Sequence, residues 1–301
     1  MIIGHQFQLN YLKKLAESDK IPHALLFSGE DKIGKKKAAF EFASILLECN
    51  AEKVKSNPDF LFVEPVSNKG KRDKIQKKEI KIAKVREISS HFSLGTFSSP
   101  FKVAVIDDAH LMRKDAQSSF LKLLEEPKGS SLFILITSFP KVLLPTIRSR
   151  VQEIKFYRVS DEKILKYLKN TNFSEKEKKE IVDLSQGKPG KAYNFISNPE
   201  KLKEEKQRIK EIIKMVNSDI DTRFKYAEEI SKDPNKLKEI LNLWLEYFRK
   251  ALIKKSRGKT SGKYTLKEVE KILKLIQNLK SIVSSTNVNP RLAFEILMIE
   301  L

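Results

Sequence analysis

Over the first 156 residues, short apolar runs alternate with longer amphipathic stretches. Residues 24–27, 60–63, 103–106, 132–136 and 152–156 are apolar or alternating and predict strands. Residues 7–17, 35–47, 82–91 and 114–124 repeat their apolar positions every three to four residues and predict helices. Unbroken apolar strands separated by helices predict a mostly parallel sheet covered on both faces.

Beyond Phe156 the pattern is wholly helical. Ser160-Asp161 opens one helix, and Ser174 with Glu177 forms the capping-box signature of another, which closes at Gln186-Gly187. A further helix is expected from Lys191. Long amphipathic helices follow from about Asn198, among them 241–253 and 266–282, with a small loop at 256–262 between those two. The lysine-rich stretch 67–78 reads as a mobile surface loop. These patterns divide the chain into an α/β domain (1–156), a small helical domain (157–198) and a C-terminal helical bundle (199–301).

Composition narrows the class. A chain of 301 residues can bury two or three cores. Its hydrophobic content is 40%, and no run approaches the roughly 20 apolar residues that cross a bilayer. The opening residues, Met1 to Gln6, lack the basic and apolar segments of a secretory leader, so a cytoplasmic protein without membrane contact is expected. The single cysteine, Cys49, excludes an internal disulfide and reads as a small buried apolar residue. Lys and Arg outnumber Asp and Glu by 59 to 39, a net charge of +20, which attracts polyanions such as nucleic-acid backbone. Many of these lysines also lie among glutamates, as on solvated helices.

Three segments carry candidate chemistry. Gly29 to Lys36 lies between a predicted strand and helix, with Gly29, Gly34 and Lys35 placed as in a phosphate loop. Such a loop turns on its glycines, aims helix N-terminal N–H groups at phosphates, and uses a lysine and a following hydroxyl. Lys36 stands where that hydroxyl would hold Mg²⁺, and an ammonium group offers a metal no oxygen. The loop is therefore expected to serve as architecture, with ATP or ADP as the ligands it could hold.

Asp107 and Asp108 end the apolar strand 103–106. The first stands where such folds hold magnesium-bound water, and the second where a carboxylate polarises the attacking water. Asp108 is one methylene shorter than the usual glutamate. The plainer reading is that the pair caps a helix or binds basic side chains. Third, Leu144 to Arg150 ends in Arg148-Ser149-Arg150, and an arginine here could reach a neighbouring molecule's phosphates.

Taken in order, these segments resemble the clamp-loader branch of the AAA+ family. Ile3-Gly4-His5-Gln6 and 21–29 resemble its first block, and Asp107 to Met112 resembles its Walker B segment. Leu121 to Pro127 and Leu143 to Arg150 are similar to further runs of bacterial clamp loaders, with Val151 replacing a cysteine. Gly187 to Ala192 resembles the sensor 2 segment, and Asn287 to Glu295 resembles the end of a helical collar. The resemblance spans nearly the whole chain.

Within the family, the degraded loop is most similar to delta-prime-type subunits of bacterial DNA polymerase III. The resemblance implies an AAA+ α/β P-loop domain, a helical lid and a collar that oligomerises. It implies a largely non-hydrolysing stator without autonomous activity, which partners gamma/tau and delta subunits and acts on the sliding clamp and primed DNA. It assigns Arg150 as an arginine supplied in trans, with Arg148, Lys191 and Thr137 (at the sensor 1 position) as lesser site residues. Zinc is not expected, because 48–58 offers one cysteine where many relatives carry a four-cysteine module. Two rivals remain: an active gamma/tau-type ATPase that tolerates Lys36, and a basic DNA-binding module, for which few aromatics lie among the basic residues.

Overall fold

The computed structural model describes residues 2–18, 20–67, 78–256, 258, 263–285 and 289–301. Seven strands lie among the described residues: β1 Ala24–Ser28, β2 Phe60–Val63, β3 Val66–Ser67, β4 Lys78–Glu79, β5 Lys102–Ile106, β6 Ser131–Thr137 and β7 Gln152–Lys155. The first eight helices are α1 Gln6–Ala16, α2 Lys35–Leu46, α3 Ile82–Ser93, α4 Lys114–Glu125, α5 Pro145–Arg148, α6 Asp161–Leu168, α7 Glu175–Ser185 and α8 Pro189–Ser197. Five more follow: α9 Pro199–Val216, α10 Ile220–Ser231, α11 Pro234–Ser256, α12 Leu266–Ser285 and α13 Pro290–Ile299.

The main sheet has the order β2-β5-β6-β1-β7, and every pairing in it is parallel. Strand side chains alternate between faces, so each central strand feeds two cores. Leu25, Phe27, Val103, Val105, Ile134 and Ile136 pack with Leu12 of α1 and with Ala38, Ala39, Phe42 and Leu46 of α2. Ala24, Leu26, Ala104, Ile106, Phe133 and Leu135 pack with Val85, Ile88 and Phe92 of α3 and with Phe120 and Leu124 of α4. Burial on both faces explains why β1, β5 and β6 carry unbroken apolar sequence. Each predicted strand and helix of this region is present, within a few residues at its ends.

The lysine-rich stretch expected as a loop has its ends in the antiparallel pair β3–β4, where Val66 faces Glu79 and Ser67 faces Lys78. Residues 68–77 lie outside the described residues, as do 257 and 259–262 of the expected small loop. Cys49 is half-buried rather than fully buried, packed beside the α2 core.

Two compact units divide the chain, Met1–Pro199 and Glu200–Leu301. In the first, α7 begins with the expected box: Ser174 Oγ accepts from Glu177 N, and the Glu177 carboxylate accepts from Ser174 N. Gln186 then takes a left-handed conformation at φ 50° and stops the helix. Helix α8 starts at Pro189, two residues before the expected Lys191, because proline is preorganised for a first helical position and needs no N–H partner there.

The second unit has its own core around Trp244, Phe248, Ile212, Leu237, Ile276, Phe294 and Leu297. At its centre the buried Arg223 donates to Met215 O (3.1 Å), Val216 O (3.2 Å) and Met298 O (3.1 Å). A cation on the last carbonyls of α9 and α13 satisfies groups that end a helix without partners. No helix among the described residues is long and apolar enough to cross a membrane.

Candidate functional site

The candidate loop leaves the C-terminal end of β1 and enters α2. Gly29 sits at φ 141°, and a Cβ there would lie 2.4 Å from Phe156 O. Gly34 sits at φ 109° and forms the N-cap of α2 without a side-chain cap, so the first amides of the helix face the loop. Both residues hold a positive φ that side-chain-bearing residues rarely adopt, so glycine suits each position. His5 braces the turn: its buried ring donates from Nε2 to Ile33 O at 2.7 Å and stacks edge-on with Phe156. Burial pushes the His5 imidazole below its ordinary pKa, against the opposing effect of the Ile33 bond.

The two adjacent lysines diverge. Lys35 is buried and curls back, donating to Gly29 O, to Glu30 O at 2.7 Å and to Ser138 Oγ at 3.1 Å. Burial lowers its pKa, while Asp31, Asp108, Asp107 and Glu30 favour its charged form. Lys36 points instead toward the ends of β2 and β5. Its Nζ lies 3.1 Å from Asp107 Oδ2 and 3.8 Å from Glu64 Oε2, over the Phe62 ring at 4.3 Å.

Asp107 therefore binds a basic side chain, one of the two plain alternatives for this pair. Asp108 takes a left-handed backbone at φ 46° and makes no side-chain cap. Burial raises its pKa, and the neighbouring Asp107 charge raises it further. Thr137 is buried, hydrogen-bonded to His110 Nδ1 at 3.1 Å, and accepts from Phe139 N at 3.0 Å. The next residue, Ser138, is the one that meets the loop, touching Lys35 and donating to Asp31.

Sequence reasoning also missed the contacts that tie the loop to α6–α8. Arg158 binds Glu30 through Nε (2.8 Å) and Nη2 (2.6 Å), and Lys188 Nζ lies 3.2 Å from the same carboxylate. Burial alone would raise the Glu30 pKa, but Arg158 and Lys188 outweigh it and hold the group at about 2. Gly190, in the first turn of α8, donates its N–H to Lys32 O at 2.7 Å. Lys191 is buried beside it, with Nζ 5.9 Å from the Phe195 ring centroid.

Arg150 lies elsewhere. It precedes β7, whose Gln152 pairs in parallel with Leu25, so it sits at the N-terminal end of the sheet. The loop leaves the opposite end, a five-residue strand away, about 16 Å at about 3.3 Å per residue. The half-exposed Arg150 guanidinium pairs with Glu125 Oε1 at 3.0 Å and donates to Thr146 O at 3.2 Å. Arg148 is exposed on the same turn. The arrangement thus gathers Gly29, Gly34, Lys35, Lys36, Asp107 and Asp108 at one end of the sheet, beside α8, and holds Arg150 at the other.

A five-stranded parallel sheet with a glycine-lysine loop between β1 and α2, a strand-end aspartate on β5 and helical units beyond defines an AAA+-type α/β fold. The profile of the family described as "DNA polymerase III, delta subunit" matches residues 4–160, and that of "Cyanobacterial DNA polymerase III delta prime, C-terminal domain" matches residues 161–301. The chain belongs to the DNA polymerase III delta-subunit family and is of the delta-prime clamp-loader type.

Relatives agree with this placement. The chain is 34% identical over 153 residues to DNA polymerase III subunit delta' of Bacillus subtilis, covering 46% of this chain and 44% of that protein. It is 26% identical over 272 residues to DNA polymerase III subunit gamma of Buchnera aphidicola, covering 82% of this chain and 72% of that one. In fold it is similar to a DNA polymerase III gamma subunit-related protein from Thermotoga maritima, with TM-score 0.51 and 16% identity over 97% of each chain.

Proposed function

We propose that the chain is a stationary member of a clamp-loader assembly that turns over no ATP of its own and lends Arg150 to a neighbouring ATPase subunit. The observation that carries this reading is the placement of Arg150 a strand's length from its own loop, with its guanidinium half-exposed. A planar cation there has no phosphate of its own chain to serve, and in a partner's site it would offset charge on a transferring phosphoryl group.

The loop is suited to architecture. In an ATPase, bound phosphates can bridge the loop and the helical lid. Here Glu30 with Arg158 and Lys188, and Gly190 with Lys32, supply a bridge made of protein alone. The division into an α/β domain (1–156), lid (157–198) and oligomerising collar (199–301) belongs to this reading. So do gamma/tau and delta subunits as neighbours, the sliding clamp and primed DNA as what the whole assembly handles, and a cytoplasmic setting. The collar role draws support from α13, where Leu292, Ile296 and Ile299 stand exposed at a spacing of four and three residues.

The test is ATP turnover by the purified chain. The reading expects none above background, and robust hydrolysis that Lys35→Ala abolishes would overturn it.

A further inference from the structure

Position 36 is where a phosphate loop places the hydroxyl that holds a divalent ion, and Asp107 is where the fold places the ion's carboxylate partner. The residues present do not fit such an ion. Lys36 contributes three N–H donors and no acceptor. Its Nζ already lies 3.1 Å from Asp107 Oδ2, and it is held there from two other sides by Glu64 at 3.8 Å and by the Phe62 ring at 4.3 Å.

We propose that the Lys36 ammonium replaces the divalent cation of the phosphate loop, as a tethered counter-ion of Asp107 that makes the site independent of magnesium. Three elements converge on this one cation: α2 through Lys36, β5 through Asp107 and β2 through Phe62 and Glu64. A metal would join α2 to β5 only while nucleotide and ion were bound. The ammonium joins them without nucleotide or ion.

The neighbouring lysine makes the replacement specific. Lys35 remains directed at the loop carbonyls and at Ser138, so the two charges serve separate tasks rather than competing for one carboxylate. A magnesium ion drawn to Asp107 would meet a fixed positive charge within a few ångströms on one side. It would find no hydroxyl in its place, and Mg²⁺ tolerates poor octahedral geometry badly. The aromatic face adds attraction for an ammonium group and offers a hard divalent ion no oxygen.

This inference deepens the non-hydrolysing reading above and rests on it, but its test reads metal binding rather than turnover. Mn²⁺ binding to the full-length chain is followed by the loss of the free-ion paramagnetic resonance signal beyond that of the same solution without protein, with and without ADP. Wild type is expected to bind no stoichiometric Mn²⁺ in either condition, and Lys36→Arg to behave the same. Lys36→Thr restores the hydroxyl and frees Asp107, and with ADP it should gain at least about tenfold in Mn²⁺ affinity. Adding Asp107→Asn to that variant should remove the gain. Stoichiometric binding by wild type would overturn the proposal, and so would failure of a folded Lys36→Thr chain to bind Mn²⁺. Neither outcome bears on whether Arg150 acts in trans.

Discussion

Arg158 Nη2 lies 2.6 Å from Glu30 Oε2, a pair that joins the segment leading out of the α/β sheet to the phosphate loop. With Nε on the other oxygen at 2.8 Å, the contact is bidentate, the geometry in which arginine fixes a carboxylate most firmly. Lys188 adds a second cation from the turn before α8.

The pair has a pH signature. Glu30 falls from an ordinary 4.5 to about 2 in the folded chain. A depressed carboxylate contributes stability that is fully present above its unfolded pKa and lost as pH falls through its folded pKa. Glu30→Gln should therefore cost about 1 kcal/mol at neutral pH, since the carboxylate is 43% exposed and solvent screens it. Unfolding measured from pH 7 downward should show that gap closing between about 4.5 and about 2. A gap that persists unchanged at pH 2 would count against the ion pair as its cause.

Gly190 is where α8 touches the loop. A Cβ there would lie 2.7 Å from Lys32 O and 3.2 Å from Lys32 C, both backbone atoms that cannot rotate aside. Gly190→Ala should destabilise by about 1–3 kcal/mol despite alanine's higher helix propensity. Hydrogen exchange should quicken at the α8 N-terminus and leave the β5–β6 amides protected.

Arg223 fixes the second unit. Arg223→Met would leave the carbonyls of Met215, Val216 and Met298 without the guanidinium that now reaches all three. A loss of about 2–4 kcal/mol is expected in the unfolding of residues 200–301, with the first unit unchanged.

Ile296, by contrast, is 52% exposed on α13. Ile296→Glu should alter the stability of the isolated chain by no more than about 0.5 kcal/mol. If the exposed stripe packs against neighbouring subunits, the same change should abolish co-purification with gamma/tau and delta. Undiminished assembly would remove the stripe from the interface.

The central sheet was legible because burial on both faces leaves an unbroken apolar run, as 103–106 and 132–136 show. The loop was legible because Gly29, Gly34, Lys35 and Lys36 fall within one eight-residue stretch at the spacing of a phosphate loop. The bridge was not: Glu30 and Arg158 are 128 positions apart, and nothing local marks either as a partner of the other. Ser138 was missed for a different reason. Alternation along β6 turns Thr137 into the interior, onto His110, and so presents the following residue to Lys35. Glu125, which holds Arg150, lies in the recognised run 121–127, but its pairing becomes visible only when α4 and the turn before β7 come together.

In the proposed mechanism Arg150 acts outside its own chain. The most direct measurement is the DNA-stimulated ATPase rate of an assembly reconstituted with gamma/tau and delta subunits, comparing wild type with Arg150→Ala. The variant should assemble normally and turn over ATP about 10³-fold or more slowly at the site it faces, with the other sites retaining their rates. An assembled complex whose rate is unchanged at every site would contradict the account.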